Sequence, residues 1–404
     1  MAEWDGRLPV VVVGGGMITQ EVILPTLFQE RRRGRIGRVV LASRRAATVR
    51  LCQELFPDEQ LDGFPDPETT PAEESHPKAY LDAFDRLGEV GLVVVATPDH
   101  LHTEIVLAAI ERGYHCIVEK PLCLKTAEAR QIAQAARERG IYVLTDYHKR
   151  HDRAIRAART KVARGELGQM LCGHAWIEER REMPLRTFAR WCQHSSPFEY
   201  IGVHYADAYY FITGQLPARL VAFGQKKLLP SLGKDAFDAV EAVIEWRDRS
   251  ILYIQTSWVL PDGHTALTKQ GLQLTGTQGE HWADHKDRNC YFCTQEGGFE
   301  HFNPNFFRGY LDPDDPSRLE YVGYGYDSIA EGIRDVLRIV GETRGLEPEA
   351  ALARRRAILE QLAPVRALPD QALVGTAINE AVRLSIANDS RRVVFDEDLT
   401  PRLE

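Results

Sequence analysis

The chain has 404 residues, of which 44% are hydrophobic and 27% charged, and its formal net charge is −8 at pH 7. This length predicts two domains, and the composition excludes a disordered chain. The negative charge argues against non-specific nucleic-acid binding, and no apolar run reaches the ~18 residues that a membrane-spanning helix needs. The seven cysteines are scattered along the chain, so we expect no disulfide framework and a cytoplasmic protein.

Over the first 150 residues, short apolar runs alternate with amphipathic stretches of helix length. The predicted strands are Pro9–Val13, Arg38–Ala42, Leu92–Ala96, Cys116–Val118 and Ile141–Leu144. The predicted helices are Thr19–Arg33, Ala46–Phe56, Glu104–Arg112 and Thr126–Arg139. Continuous Val, Ile and Leu runs separated by helices are typical of a parallel sheet covered on both faces, so we predict an α/β, doubly wound Rossmann domain. Leu61–Leu87, which is rich in proline and acid, is expected to be a long surface excursion with a helix near Ala79–Leu87.

The remainder of the chain predicts a second domain that combines strands and helices. A helix is expected at Ala154–Arg164, and helices return near the end of the chain at Ser328–Gly341 and Gln371–Ala387. Between them the predicted strands are Met170–Ile177, Leu220–Gly224, Ala239–Trp246, Ile251–Trp258 and Gln270–Thr275. Within Ala239–Trp246 the residues Val240, Ala242, Ile244 and Trp246 alternate with Glu241, Val243 and Glu245, which indicates a sheet that is covered more on one face than on the other.

A glycine-rich turn directly after the first strand is the first candidate site. In a dinucleotide-binding turn, the first glycine makes the tight bend, the second lets the backbone approach the pyrophosphate, and the third permits close helix packing. Gly14 and Gly16 occupy the first two places, and Thr19 stands in the third. The pyrophosphate would lie where the following helix begins, at Met17 and Ile18, because free N–H groups there favour an anion. A turn placed between a strand and a helix favours nucleotide binding.

The end of the second strand bears on which nucleotide is bound. An acidic residue there would bond a ribose 2′-hydroxyl, but this sequence has Ser43, Arg44 and Arg45 instead. A hydroxyl and two guanidinium groups suit a 2′-phosphate, so these residues favour NADP over NAD. Arg44 could equally stack on an adenine ring, and NAD stays open.

Three further motifs each follow a predicted strand. They are Ala96-Thr97-Pro98-Asp99-His100-Leu101-His102, Glu119-Lys120-Pro121 and Tyr147-His148-Lys149-Arg150. Shorter matches lie at Gly165–Gly168, Gly202–Asp207 and Gly276–Gly279. In this order the motifs resemble those of the glucose–fructose oxidoreductase/inositol dehydrogenase/MocA-like (Gfo/Idh/MocA) oxidoreductase family, and the resemblance spans nearly the whole chain.

The resemblance implies an N-terminal Rossmann domain over residues 1–150 and a C-terminal α+β domain over residues 151–404, with a large, mostly antiparallel open sheet. Such sheets pair between subunits in this family, so a homo-oligomer is expected. We also expect the final helices, and Gln371–Ala387 in particular, to pack on the Rossmann domain. The implied cofactor contacts are Gly14, Gly16, Met17, Ile18, Ser43, Arg44, Thr97, Pro98, His102, Glu119 and Lys120.

Lys120 is the first candidate catalytic residue. In an open α/β sheet, ligands bind outside the carboxyl ends of the strands, and Thr97, Lys120 and Tyr147 all lie just past such ends. A lysine at a strand end can stabilise a developing alkoxide or move its proton. A surface lysine is the structural alternative, and the match to the Glu-Lys-Pro motif favours the catalytic role.

His204 is the second candidate catalytic residue. Pro197–Thr213 has a helical pattern that places Tyr200, His204 and Asp207 on one face, so Asp207 is expected to orient the His204 ring. His204 would then take the hydroxyl proton as hydride leaves the carbon. Many family members have an aspartate where this sequence has Tyr200. Tyr200 could donate a hydrogen bond to substrate, the neighbouring Glu199 could substitute, or the chemistry could rest on the lysine and the histidine; the sequence leaves this open.

The expected substrate contacts are His148, Arg150 and Asp207, joined by aromatic side chains of the kind that sugars contact.

One group of residues has the ligand count of a zinc site, namely His281, His285, Cys290 and Cys293. In a strand the two cysteines would face opposite sides, and no second Cys-x-x-Cys motif supports a closed site. We therefore expect no metal.

Together these observations predict an NAD(P)-dependent oxidoreductase. It would transfer a hydride between a nicotinamide cofactor and a secondary hydroxyl or ketone of a sugar, glycoside or polyol. The resemblance over Gly14–Thr19 and Ser196–Asp207 suggests C3 oxidation of a glycoside. Two alternatives are a redox-neutral glycosidase or lyase that recycles tightly bound NAD, and a non-catalytic regulator that senses nucleotide or sugar.

Overall fold

A computed structural model describes residues 5–404, and contacts between Cα atoms divide the chain into two units. Unit 1 comprises the chain up to Cys123 together with Ala127–His148 and Phe307–Ala372. Unit 2 comprises Leu124–Thr126, Lys149–Phe306 and Leu373–Glu404. The division into residues 1–150 and 151–404 remains a prediction about the domains, since these units are not continuous in sequence.

Within residues 5–404 the strands are β1 Leu8–Val13, β2 Ile36–Ala42, β3 Asp62–Phe64, β4 Leu92–Val95, β5 His115–Val118, β6 Val143–Thr145, β7 Met170–Arg180, β8 Pro217–Gln225, β9 Ala239–Trp246, β10 Ile251–Leu260, β11 Thr268–Gly276, β12 Glu280–Asp284, β13 Tyr291–Thr294, β14 Gly298–His301, β15 Arg308–Leu311, β16 Leu319–Val322, β17 Val393–Phe395 and β18 Pro401–Leu403. The α-helices are α1 Leu24–Arg32, α2 Ala46–Leu55, α3 Ala79–Phe84, α4 His102–Glu111, α5 Thr126–Arg139, α6 Arg153–Ala163, α7 Val203–Thr213, α8 Leu228–Ser231, α9 Tyr324–Thr343, α10 Pro348–Leu362 and α11 Pro369–Ile386.

Unit 1 is built on six parallel strands in the order β3-β2-β1-β4-β5-β6. The strands β4 and β5 are buried along their whole length, and β1 is buried at every residue but one. Strands covered on both faces need apolar side chains on both, which explains the continuous Val, Ile and Leu runs. The predicted doubly wound Rossmann sheet is confirmed.

Two of the strand-to-helix connections of unit 1 begin with an irregular turn. A wide π-type turn over Thr19–Ile23 precedes α1, and a 3₁₀ turn over Asp99–Leu101 precedes α4. Both turns lie at the carboxyl edge of the parallel sheet, where ligands bind in folds of this kind.

The strand β3 lies inside the segment expected to be a surface excursion. It pairs with β2, with Val40 opposite Asp62 and Ala42 opposite Phe64. The helix expected later in this segment is present as α3. A strand of three residues is too short to show an alternating pattern, so no sequence signal marked it.

Residues 307–372 return to unit 1 and bring α9 and α10 to the parallel sheet. The hydroxyl of Tyr142, directly before β6, donates to Asp335 of α9 at 2.9 Å. Arg366 pairs with the same carboxylate at 2.6 Å. The sequence predicted the helix α9 but not α10.

Unit 2 is built on a sheet in the order β12-β11-β7-β10-β9-β8-β17-β18. Its neighbouring strands are antiparallel except β7 and β10, so the predicted mostly antiparallel sheet is confirmed. From Leu373 onward α11 belongs to this unit, and the backbone N–H of Ala222 on β8 donates to Ser385 of α11 at 3.0 Å. Packing of the helix over Gln371–Ala387 on the Rossmann domain remains a prediction.

The two faces of the unit 2 sheet differ in exposure. Leu252, Ile254 and Trp258 of β10 lie on the covered face and are fully buried. On the opposite face, Val243 of β9 is 40% exposed and Trp282 of β12 is 63% exposed. Side chains alternate between faces along a strand, so one face forms the core while the other stays open.

No helix within residues 5–404 is long and apolar enough to cross a membrane.

Candidate nucleotide and proton-transfer site

The glycine turn of unit 1 has the backbone that a dinucleotide requires. Gly14 has a φ of 104°, and a Cβ atom at this position would overlap the carbonyl oxygen of Ala96 at the end of β4. Gly16 is exposed, and no other atom lies within 4 Å of where its Cβ would stand. The first glycine therefore permits the bend, and the second leaves open space beside the backbone for a phosphate group.

Thr19, in the place of the third glycine, stabilises this turn. Its hydroxyl donates to the carbonyl oxygen of Gly14 at 2.7 Å, and the side-chain amide of Gln20 donates to the carbonyl oxygen of Gly15 at 2.8 Å. Both predicted contacts, Met17 and Ile18, lie between Gly16 and Thr19, where the first N–H groups of a helix have no partner within it. Where the pattern has a third glycine, this chain thus has a threonine whose hydrogen bond holds the turn.

The end of β2 places polar groups beside the nucleotide turn. The backbone N–H of Ser43 donates to the carbonyl oxygen of Phe64 at 2.8 Å. Arg44 is exposed and donates from Nε to the hydroxyl of Ser75 at 2.7 Å, whereas Arg45 lies 3.4 Å from Glu73. Arg44 therefore has a neutral hydroxyl partner, and Arg45 has an acidic one.

His102 joins the turns after β4 and β5. The ring is fully buried, with Nδ1 at 2.9 Å from the carbonyl oxygen of Pro121 and Nε2 at 2.8 Å from that of Thr97. Because both nitrogens face backbone oxygens, His102 holds the Thr97-Pro98 and Glu119-Lys120-Pro121 segments in position. Direct contact of its ring with a cofactor remains a prediction.

Lys120 lies directly past β5, and two acidic residues lie nearby: the half-buried Glu119 before it and the buried Asp146 past the neighbouring strand. Its backbone N–H donates to the Glu119 carboxyl at 3.3 Å. Asp146, directly past the neighbouring strand β6, donates its backbone N–H to Val118 at 2.7 Å, and its carboxylate accepts a hydrogen bond from Ser328 of α9. The sequence analysis missed Asp146, which belongs to no motif; its only signal is its place at a strand end.

Both carboxyl groups have a pKa above its ordinary value. Burial and the nearby Asp146 charge raise the pKa of Glu119 to about 8, and Lys120 acts in the opposite direction. Burial raises the pKa of Asp146 to about 6, although the hydrogen bond from Ser328 and the charge of Lys120 lower it. Lys120 thus lies near two carboxyl groups that lose their protons at a higher pH than usual. Shifted pKa values of this kind are typical of proton-transfer sites.

Two buried oxygens at this edge have no hydrogen-bond partner among the described residues, namely Thr97 Oγ1 and Glu119 Oε1. Buried polar atoms are almost always hydrogen-bonded in native proteins, so these atoms indicate a polar ligand or water. Together with the space beside Gly16, they make the residues of unit 1 suitable for a dinucleotide.

In unit 2, His204 is buried on α7 and follows a π-type turn over Phe198–Gly202. Tyr200 lies within this wider turn, and the placement of Tyr200 and His204 on one face remains a prediction. The Tyr200 ring lies among Phe188, Trp191 and Trp258, with centroids 5.0, 5.3 and 6.2 Å away.

Asp207 is paired with Arg150. Both carboxylate oxygens accept from the guanidinium, at 2.6 and 2.8 Å, and both side chains are buried. Burial raises the pKa of Asp207, while Arg150 lowers it. Arg150 thus engages both oxygens of Asp207, and the orientation of the His204 ring by Asp207 remains a prediction.

Two further residues from the sequence analysis also have partners. Glu199 is buried and pairs with Arg383 of α11 at 2.9 Å. His148, in unit 1, stacks on Tyr324 with 5.6 Å between ring centroids. Glu199 is thus engaged in an ion pair, and the ring of His148 has an aromatic neighbour.

Among residues 5–404, no three His, Cys, Asp or Glu side chains are grouped so that they could hold a metal ion. Within the His281–Cys293 segment, His285 is fully buried and lies 2.9 Å from the Tyr205 hydroxyl, while Cys293 is exposed on β13. The structure thus separates the residues that had the count of a zinc site.

A parallel sheet in the order 3-2-1-4-5-6, with a glycine turn after its first strand, defines a dinucleotide-binding α/β protein. Residues 8–147 match the family model described as "Oxidoreductase family, NAD-binding Rossmann fold", and residues 155–281 match the GFO/IDH/MocA C-terminal domain. The chain belongs to the Gfo/Idh/MocA oxidoreductase family, which confirms the resemblance found in the motifs.

The individual relatives are only distantly similar to this chain. The chain is 29% identical over 204 residues to 1,5-anhydro-D-fructose reductase of Ensifer adhaerens, covering 47% of this chain and 56% of that one. It is 27% identical over 183 residues to D-glucoside 3-dehydrogenase of Escherichia coli, covering 42% and 52%. The matches thus span about half the length of these curated relatives. An inositol dehydrogenase homolog of Azotobacter vinelandii, complexed with NADH and myo-inositol, has the same fold, with a TM-score of 0.68, 20% identity, and 96% and 98% coverage.

Proposed function

We propose that the protein is an NAD(P)-dependent oxidoreductase that transfers a hydride between a nicotinamide nucleotide and a secondary hydroxyl or ketone of a sugar, glycoside or polyol. The observation that carries this proposal is the placement of Lys120. It is buried past β5, next to the half-buried Glu119, and the buried Asp146 follows the neighbouring strand β6; all three belong to the same unit as the Gly14–Gly16 turn. Family membership supports it.

The residues that would hold the nucleotide belong to unit 1. The backbone at Gly14, Gly16, Met17 and Ile18 would bind the pyrophosphate, and Ser43 and Arg44 would bind the ribose side. The segments that contain Thr97, Pro98 and Glu119 would line the nicotinamide side, held by His102. When bound, the nucleotide supplies the hydride acceptor or donor.

The remaining chemistry concerns the proton of the substrate hydroxyl. An ammonium group such as that of Lys120 stabilises negative charge on the reacting oxygen, and an imidazole such as that of His204 accepts or returns the proton. Tyr200, within its aromatic cluster, would donate a hydrogen bond or offer a flat face to a sugar ring. We propose His148, Arg150 and Asp207 as further contributors to substrate binding, the last two as a pair.

Two relatives suggest the substrate class. Their names, 1,5-anhydro-D-fructose reductase and D-glucoside 3-dehydrogenase, describe reactions on sugar derivatives. The second name agrees with the C3 oxidation of a glycoside suggested by the motifs. We therefore propose glycosides as the first substrates to be screened, with NAD and NADP supplied in parallel.

The test is the substitution Lys120→Met, which keeps the length of the side chain and removes its charge. We expect kcat on a screened substrate to fall by about 100-fold or more, while the Kd of the nucleotide changes by less than threefold. Lys78→Met is the matched control, since Lys78 is exposed and pairs with Glu104 at the surface.

Equal losses in kcat and nucleotide affinity would remove the proposed proton role of Lys120. Nucleotide binding without turnover over a broad sugar panel would contradict the enzyme proposal and favour a sensor. Cleavage of a chromogenic glycoside without a change in absorbance at 340 nm would favour the redox-neutral alternative.

A further inference from the structure

The segment that follows β3 starts at the same edge of the parallel sheet as the glycine turn. Val13 pairs with Ala42, and Ala42 pairs with Phe64, so the chain leaves β1, β2 and β3 at three adjacent positions. The glycine turn follows β1, Arg44 lies just past β2, and residues 65–78 connect β3 to α3. Ligands of open α/β sheets bind outside these carboxyl ends. The segment 65–78 therefore begins beside the place proposed for the ribose end of the nucleotide.

Two backbone hydrogen bonds hold part of this segment against the residues after β2. The backbone N–H of Ala47 donates to the carbonyl oxygen of Ala72 at 3.0 Å. The backbone N–H of His76 donates to the carbonyl oxygen of Arg44 at 2.8 Å. The two bonds lie at the ends of the stretch 72–76, so this stretch is held beside Arg44 by its main chain, independently of its side chains.

Ser75 lies within this stretch and contacts the guanidinium group of Arg44. Its hydroxyl oxygen accepts a hydrogen bond from Nε of Arg44 at 2.7 Å, and both residues are exposed. A guanidinium group has five N–H donors, one on Nε and two on each terminal nitrogen. With Nε engaged, the terminal nitrogens can bind the oxygens of a phosphate, and the Ser75 hydroxyl keeps its own hydrogen to donate.

The charges of the neighbouring side chains favour Arg44 as the group that binds an anion. Arg45 lies 3.4 Å from Glu73, and Glu74 lies 3.2 Å from Nε2 of His76. Each acid of the stretch is thus next to a basic side chain, whereas the partner found for Arg44 among the described residues is a neutral hydroxyl. A hydroxyl does not neutralise a guanidinium group, so the charge of Arg44 stays available to a phosphate.

We propose that Ser75 determines nucleotide specificity: its hydroxyl holds Arg44 by Nε and binds the 2′-phosphate of NADP together with the terminal nitrogens of Arg44. This inference rests on the proposed nucleotide binding at the Gly14–Gly16 turn and deepens it. The phosphate pocket is then built from two segments, the residues after β2 and the residues after β3. The 2′-hydroxyl of NAD carries no charge, so Ser75 contributes much less to the binding of NAD.

The experiment measures the Kd of NADPH and of NADH by fluorescence titration of the purified full chain and its variants. Ser75→Ala removes the hydroxyl, and we expect it to weaken NADPH binding by about fivefold and NADH binding by less than about twofold. Ser75→Asp places a carboxylate against Arg44 and the phosphate, so NADPH binding should weaken by about 30-fold or more and NADH binding by less than about threefold.

Thr69→Asp is the matched control. It adds the same charge at another exposed position of the segment 65–78 and should change neither Kd by more than about twofold. An NADPH Kd that Ser75→Ala leaves unchanged would overturn the inference, as would equal losses for NADPH and NADH. An equal loss in Thr69→Asp, or tighter binding of NADH than of NADPH by the wild type, would overturn it as well.

A double-mutant cycle tests whether Ser75 acts together with Arg44. In the Arg44→Ala background, the loss of NADPH affinity caused by Ser75→Ala should shrink to less than about twofold, because the hydroxyl no longer has a guanidinium group to hold. Additive losses would show that the two side chains act separately and would overturn the shared role. Retained NADH binding shows that each variant is folded, and Ser75→Ala carries the test if Ser75→Asp loses it.

Failure of the proposed function gives different results. Full turnover in Lys120→Met would contradict the proposed role of the lysine and leave the Kd comparison valid. A wild-type protein that binds neither nucleotide would contradict the oxidoreductase proposal itself. Failure of the present inference alone appears as binding of both nucleotides with a Kd ratio that does not depend on Ser75.

Discussion

Single side chains stabilise the turns at the proposed nucleotide site. The Thr19 hydroxyl satisfies the carbonyl oxygen of Gly14, a group that a glycine at position 19 would leave to solvent or ligand. His102 engages two carbonyl oxygens and joins the turns after β4 and β5. All of these contacts are made to backbone carbonyl oxygens, and they hold the turns in shape. They use no backbone N–H group, so those groups stay available to bind a phosphate.

The choice between NAD and NADP also depends on single residues. No carboxylate follows β2; Ser43 and Arg44 stand there, and Arg44 is bound only to a neutral hydroxyl in the contacts found for its side chain within residues 5–404. A guanidinium with a neutral partner can turn to a 2′-phosphate at little cost, whereas Arg45 would first have to leave Glu73. We therefore retain the proposal of a preference for NADP.

Arg44→Ala is expected to weaken NADPH binding by about 10-fold or more and NADH binding by less than about threefold, because it removes charge-assisted bonds to the 2′-phosphate. Arg45→Ala is the matched control and should change neither Kd by more than about twofold. Fluorescence titration of each variant gives the Kd values, and chromatography of the denatured wild-type protein identifies any nucleotide retained. Retained NAD, or tighter binding of NADH by the wild type, would contradict the preference.

At the scale of elements, a buried ion pair joins the start of α6 to α7. Arg150 lies two residues before the α6 N-cap, Asp152, and its guanidinium forms two hydrogen bonds with Asp207 of α7. The helix α7 carries His204, so this pair also fixes the segment that holds a proposed proton acceptor. Removing one partner of such a pair leaves the other charge buried and unbalanced.

Asp207→Asn is expected to lower the free energy of unfolding by about 3–5 kcal/mol, because Arg150 would remain buried without its counter-charge. The double variant Arg150→Met/Asp207→Leu should recover most of this loss, giving strong coupling in a double-mutant cycle measured by urea denaturation. Additive effects of the two single variants would show that the pair does not act as a unit. Loss of turnover in a stable double variant would support the proposed substrate role.

At the scale of the whole molecule, the open face of the unit 2 sheet is the surface that an assembly would use. Val243 and Trp282 are exposed there, and Tyr253, His174 and Gln273 lie between them in the same register row. Aromatic and aliphatic side chains on an exposed face indicate an interaction surface. We propose that this face pairs with a second copy of the chain, as the family resemblance implies.

Val243→Arg is expected to convert the proposed homo-oligomer to a smaller species, because two arginines would meet near the centre of a paired face without partners. Light scattering coupled to size-exclusion chromatography measures the mass. Leu346→Arg is the matched control, since Leu346 is 45% exposed in unit 1 and should leave the mass unchanged. A monomeric wild-type protein, or an unchanged mass in Val243→Arg, would exclude this face as the interface.

Several elements of the fold could be predicted because their signals are local. The alternation of apolar strands with amphipathic helices predicted the parallel sheet, and the glycine turn and the Glu-Lys-Pro motif marked its carboxyl edge. The strand β3 and the helix α10 were missed. A three-residue strand has too short a pattern to be recognised, and α10 has few buried residues, so its apolar stripe is weak.

The sequence by itself determined the class of the two sheets, the place of the nucleotide turn and the motif residues, because each depends on neighbours within a few positions. Only the tertiary structure decided which distant side chains and segments come together. Ser328 reaches Asp146 across 182 residues, Asp207 pairs with Arg150 across 57 residues, and residues 307–372 rejoin unit 1. Such partners are selected by packing and by the cost of leaving buried charges unbalanced, and that cost exists only once the chain has folded.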